Sequence, residues 1–199
     1  MEHNLPYAHN HEQLNFIEAI KSIKPQVLIG ATGAPGTFTK DVIQQMDIIN
    51  DRPIIFALSN PTSRAECTAE QAYRWSKGNA IFASVSPFDK VSLNGKKYYP
   101  GQGNNAYVFP GIGLGVIATK ARIIPDEFFL VAAKTLAELV KEDDINVGSL
   151  YPKLSEIRNL SLEIAVAVAE KAFEFDLAQI DKHQDLRQLI SDYMYEPHY

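Results

Sequence analysis

Short apolar runs alternate along this chain with segments whose apolar residues recur every three or four positions. "QVLIG" (26–30), "PIIFALS" (53–59) and "AIFASV" (80–85) are rich in Ile, Val and Phe and end in small residues, which predicts three buried strands. Between them lie "TKDVIQQMDIIND" and "TAEQAYRWSKG", with apolar residues at helical spacing. Thr39 suits the N-cap of the first, and Thr68 with Gln71 makes a capping box for the second. Strand, helix, strand, helix, strand implies parallel pairing through right-handed crossovers with helices over the sheet faces. That pattern is half of a doubly wound α/β sheet.

Beyond the third strand, "VSLNGKKYYP" predicts a hairpin turning at Asn94-Gly95, and the rest of the chain is helical in pattern over 112–121, 126–141 and 154–175. In the last of these, Leu154, Ile157, Leu160, Ile164, Val168 and Ala172 form a broad apolar stripe, read as a core helix packed on the sheet. Three units are expected: an N-terminal loop or linker over 1–23, partly mobile; an α/β body over 24–180; and a charged, aromatic tail over 181–199 that docks on a neighbour or frays. The first eleven residues hold three of the five histidines. They read as a loop, or alternatively as a metal site of His3, His9 and His11, though no Cys or carboxylate cluster completes that set.

Composition narrows the partners. With 46% hydrophobic and 22% charged residues in 199, the chain is that of an ordinary globular protein, long enough for one packed core. Its 19 Lys and Arg against 24 Asp and Glu, with no basic cluster longer than Lys96-Lys97, lack the footprint of a nucleic-acid binder. No apolar run is long enough to span a bilayer, and no secretory leader is visible. A single cysteine, Cys67, fits a reducing compartment: the cytoplasm, or the mitochondrial matrix in a eukaryote.

Ligands of open parallel sheets bind outside the carboxyl ends of the strands. After the first strand, "GATGAPG" spaces its glycines as Gly30, Gly33 and Gly36, not as a G-x-G-x-x-G fingerprint, and reads as a strand-to-helix turn or a ligand-contacting one. After the second, Asn60 precedes Pro61, which sets it in a turn or aims its amide from the sheet edge. "PGQGNNAYVFPGIGLG" places Asn104 and Asn105 near a helix N-terminus, where they shape the helix start or meet a carboxylate. No nucleophile elbow, H-E-x-x-H, Walker loop or acidic metal pair is present. Cys67 is either a structural thiol or one activated by the helix N-terminus that follows.

Taken together, "FALSNPTSRAECTAEQAY", "FASVSPF", "PGQGNNAYVFPGIGLG" and "LYPKLSEIRNLSLEIAVAVAEKAF" resemble the carboxyl-terminal portion of malic enzymes, over about residues 24–178. The resemblance implies a Rossmann-type parallel sheet, its second mononucleotide half, with carboxyl-terminal helices. It implies conversion of malate to pyruvate and CO2 with NAD or NADP and Mg2+ or Mn2+, in a homo-oligomer, dimer or tetramer. By the same resemblance Asn60 and Asn105 contact the malate and lie against the nicotinamide, with Asn104 beside them. The turn of Gly30, Ala31, Thr32 and Gly33 lines the dinucleotide's ribose. Neutral amides suit this task, because they orient a dicarboxylate without adding a charge that competes with the metal. The family's Tyr acid, Lys base, acidic metal ligands and glycine fingerprint belong upstream of this region, so no catalytic residue or metal ligand is expected here and the chain alone is expected to be inactive. "FASVSPF" carries Val85 where the family usually has Gly. The alternative is a non-catalytic truncated subunit or assembly module that binds a full-length partner through an exposed sheet edge.

Overall fold

The computed structural model describes residues 5, 8, 10, 12–146 and 148–196. The metal alternative built on His3, His9 and His11 lies outside the described residues. The expected loop over 1–23 contains a helix, α1 (Phe16–Ile23). Its start is fixed by a capping box, in which the Asn15 side chain accepts from the Glu18 N–H and the Glu18 carboxylate accepts from the Asn15 N–H, both at 3.0 Å. Ile20 then drives the helix onto the core, where it is buried.

Four parallel strands follow in the order β1 (Val27–Gly30), β2 (Ile54–Ala57), β3 (Ile81–Ser84) and β6 (Gly101–Gln102). The helices α2 (Lys40–Ile49) and α3 (Ala69–Trp75) make the crossovers, with the Thr39 cap and the Thr68/Gln71 capping box both formed. Leu28, Ile55 and Phe82 alternate onto one sheet face and pack with Ile43, Met46 and Tyr73 from these helices. The three predicted strands are not equally buried. All of β3 is buried, whereas β1 is an edge strand whose outward Val27 and Ile29 are 43% and 60% exposed. β6 is two residues long, pairs only through Ala83 and Ser84, and was not anticipated by periodicity.

The hairpin forms from β4 (Val91–Leu93) and β5 (Lys96–Tyr98), with positive φ at Asn94 and Gly95. Tyr98 carries it onto the first core by packing 4.8 Å from the Tyr73 ring. The second layer is helical: α4 (Phe109–Thr119), α5 (Asp126–Glu138), the short α6 (Glu142–Asn146), α7 (Ile157–Glu174) and α8 (Leu186–Asp192). The stripe of α7 meets α4 and α5, with Leu160, Ile164 and Val168 buried against Ile112 and Phe128. Tyr151 joins this layer to the sheet. It stacks on Tyr107 at 5.3 Å and lies against Gly101 and Gly103 at the sheet edge. The tail docks on its own chain, since Ile190 of α8 is buried and Arg187 grips the Glu163 carboxylate of α7 through two bonds of 2.7 Å.

α4 and α7 approach so closely that glycine is required between them. A Cβ at Gly115 would lie 2.7 Å from the backbone oxygen of Ala165, which cannot swing aside. Overpacking of this kind costs about 1–3 kcal/mol, more than the roughly 1 kcal/mol that alanine gains over glycine in a helix. Gly115→Ala should therefore destabilise the chain by up to about 2 kcal/mol, read as a lower denaturation midpoint. An unchanged or raised midpoint would contradict this packing.

Candidate functional site

Register fixes where the strands end. Gly30 pairs with Ala57, Ala57 with Ser84, and Ser84 with Gln102, so the four carboxyl ends form one line across the sheet. Neighbouring strands are about 4.8 Å apart, so β2 and β6 stand roughly 10 Å from one another and the rim is wide enough for an extended ligand. The loops leaving this line carry every site residue expected from the sequence: Gly30, Ala31, Thr32 and Gly33 after β1, Asn60 after β2, and Asn104 and Asn105 after β6.

Hydrogen bonds stitch these loops together in sequence across the rim. The Gly33 N–H donates to Ser59 Oγ at 2.8 Å, linking the first loop to the second. The Ser86 hydroxyl donates to Asn60 Oδ1 at 2.9 Å, linking the second to the third. Gln102 Nε2 donates to the Val85 carbonyl at 3.1 Å, and the Gly103 N–H to the Ser84 carbonyl at 2.8 Å, linking the third to the fourth. Val85 is not among the positive-φ residues, so it sits on backbone that any residue adopts.

The three amides differ in their surroundings. Asn60 and Asn105 are exposed, while Asn104 is half-buried. Asn60 is joined to Pro61 by a cis peptide bond. Asn104 Oδ1 accepts from the Ala106 N–H at 2.9 Å and caps a single 3-10 turn, Asn105–Tyr107, that precedes α4. The oxygen of Asn104 thus shapes the helix start, as one of the two sequence readings held, and Asn105 is the first residue of that turn.

Sequence reasoning missed the residue behind these loops, Glu66. It has no solvent exposure, yet it is an acid. Its Oε1 accepts from the Thr32 N–H at 3.1 Å, from Thr32 Oγ1 at 3.2 Å and from the Ser59 hydroxyl, and its Oε2 accepts from the Ser59 N–H at 3.4 Å. Burial is the largest influence on its pKa and pushes it up; the bonds from the Ser59 hydroxyl, Thr32, its own backbone and the Ser59 N–H together outweigh burial and hold it below the ordinary carboxylate value. Glu66 is a carboxylate at neutral pH. Gly30 makes room for it, since a Cβ there would lie 2.5 Å from the Glu66 carboxyl carbon. Gly33 has a different reason to be glycine: its φ is +68° and a Cβ would meet only open space, which leaves the turn approachable by a ligand.

Cys67 follows Glu66 and is buried. Burial, and secondarily the Glu66 charge, push its thiol up to about 12, which removes the activated alternative. Among the described residues no three His, Cys, Asp or Glu side chains converge on a point that could hold a metal ion. No helix of the described residues is long and apolar enough to cross a membrane.

Comparison with known proteins gives the same family as the motifs. The family described as malic enzyme, NAD binding domain, matches residues 1–173. The NADP-dependent malic enzyme of Phaseolus vulgaris is 50% identical over 196 residues, covering 98% of this chain and 33% of that protein. The chloroplastic NADP-dependent malic enzyme of Flaveria pringlei is 51% identical over 196 residues, covering 98% of this chain and 30% of its own. A solved malic enzyme from Pyrococcus horikoshii superposes with a TM-score of 0.62 at 27% identity, over 84% of this chain and 34% of that one. The chain spans about a third of the length of the curated relatives it matches.

With burial pushing its pKa up to about 12, the Cys67 thiol stays protonated at pH 8. A thiol-specific disulfide reagent at that pH should label no cysteine in the native chain and one per chain after unfolding. Rapid labelling of the native chain would contradict the burial.

Proposed function

The chain belongs to the malic-enzyme family through its NAD-binding domain, and on that footing we propose that it works as part of an oxidoreductase that converts malate to pyruvate and CO2 while reducing NAD or NADP. The observation that carries this reading is the single register line on which Gly30, Ala57, Ser84 and Gln102 end, with the loops bearing Asn60, Asn104 and Asn105 on the same rim. Asn60 and Asn105 orient the malate against the nicotinamide. Their exposure leaves donors and acceptors for its two carboxylates and C2 hydroxyl. Asn104 supports Asn105 by capping the turn that carries it. The turn at residues 30–33 receives the ribose, with Thr32 and Gly33 fixed by Glu66 and Ser59.

When bound, the nucleotide accepts the hydride from C2 of malate. The described residues position and do not move protons: the amides are neutral, and Glu66 is buried with its oxygens already engaged. A base at the C2 hydroxyl and a metal for the enolate come from polypeptide outside the residues described. The names of the relatives support NADP over NAD, and they include chloroplastic forms. The compartment we propose is accordingly the cytoplasm or an organelle interior.

A second reading is favoured by one observation. Among the described residues the edge strand β1 has one flank unpaired, and its Val27 and Ile29 side chains are exposed on one sheet face, surfaces suited to a second polypeptide, which supports the alternative of a non-catalytic assembly module that binds a partner. Sedimentation equilibrium should then find the purified chain self-associated, and a compact monomer at all concentrations would contradict this.

Two measurements test the main reading. Mixed with malate, Mn2+ and NAD+ or NADP+, the purified chain should form no reduced nucleotide, and measurable turnover would overturn the division of labour. In amide NMR, NADP+ and malate should shift resonances at residues 30–33, 59–60 and 104–106. Shifts confined to the helical layer would overturn the site.

A further inference from the structure

A buried acid that no proton-transfer step uses needs another reason to exist. Glu66 is held 34 residues in sequence from Thr32 and seven from Ser59, between two ligand-side loops. A carboxylate only accepts hydrogen bonds, so the Ser59 hydroxyl must donate to it. A hydroxyl has one proton. Once that proton is committed to Glu66, a lone pair of Ser59 Oγ is left to accept from the Gly33 N–H, as observed at 2.8 Å. The same carboxylate takes both donors of Thr32, the residue before Gly33. Ser59 is also the residue before Asn60.

We infer that Glu66 is a positioning residue: by fixing the Ser59 hydroxyl and Thr32, it sets the Gly33 turn and the backbone that leads into Asn60. The inference rests on the reading of this rim as the nucleotide and malate site. Glu66 itself touches neither ligand, because it has no solvent exposure. Its negative charge is what gives the arrangement one hydrogen-bond polarity, since an amide in its place supplies a single acceptor oxygen and turns donors against Thr32 or Ser59. With the polarity fixed, the turn and Asn60 are organised before any ligand arrives, and binding need not order them.

The test is amide hydrogen exchange followed residue by residue by NMR on the 199-residue chain. Ser59→Ala should speed exchange at Gly33 by about tenfold, the loss of one buried hydrogen bond, and leave Thr32 at its wild-type rate because Glu66 still accepts from it. Glu66→Met, similar in length but without an acceptor, should speed both Thr32 and Gly33, and Glu66→Gln should fall between it and wild type. The amides of Ile43 and Val168, deep in the two cores, should keep their rates in every variant. Gly33 exchanging at the wild-type rate in Ser59→Ala would overturn the inference, and so would a uniform acceleration of every amide, which marks simple loss of stability. Should Glu66→Met fail to fold, Glu66→Gln and Ser59→Ala decide together, and wild-type rates at both Thr32 and Gly33 in Glu66→Gln would overturn the inference. NADP+ titrations of the same samples should give a dissociation constant about tenfold weaker in Ser59→Ala than in wild type. Equal constants would overturn the positioning role. If NADP+ shifts no rim amide of the wild-type chain, the function proposed above falls, while the exchange rates still decide whether Glu66 holds the turn.

Discussion

A carboxylate without access to water must be met by donors, and the donors that meet Glu66 come from two loops far apart in sequence. This constraint organises the rim. An unmet ionised acid would cost far more than one loop's worth of contacts returns, so the loops after β1 and β2 are ordered as a pair or not at all. The glycine at position 30 follows from the same demand, because any side chain there would occupy the space of the carboxylate. The thiol of Cys67, next to Glu66 in the chain, is pushed up chiefly by its own burial and only secondarily by the Glu66 charge.

The sheet provides the second half of the order. Parallel strands that end on one register line send their loops out on one side, and the bonds from Gly33 to Ser59, Ser86 to Asn60 and Gln102 to Val85 then tie each loop to the next. Exposed amides on such a rim are held by backbone that is itself held. β6 makes the last link, since two residues of pairing are enough to bring the Asn104-Asn105 turn beside the other loops. Tyr151, wedged against Gly101 and Gly103, braces that strand from the helical layer.

Much of this was legible in the chain, and the reasons it was not legible throughout are specific. Strands and crossover helices declared themselves because burial on a sheet and helical amphipathicity leave different periods, and Thr39 and Thr68 marked helix starts by local bonding alone. The same local signal stands at Asn15 and Glu18, ahead of the apolar residues Phe16, Ile17 and Ile20 at helical spacing, where a helix was read as linker. β6 is too short to show a period. Glu66 was invisible for another reason: between Ala65 and Cys67 it looks like a surface acid ahead of a capped helix, and only the fold brings Thr32 to it from 34 residues away. The apolar character of both its neighbours, Ala65 and Cys67, was the available hint. Asn104 shows the limit of reading polar pairs, since its oxygen serves the backbone of its own turn.

We propose that a rim organised from beneath by Glu66 turns the Asn60 and Asn105 amides toward one ligand. A crystal structure of the chain soaked with NADP+ and malate tests this most directly. The account predicts the nicotinamide end or the malate lying within hydrogen-bond reach of both amides, with the Gly33 turn against the ribose. Ligand density elsewhere on the molecule, or the two amides facing away from each other across the sheet, would contradict it.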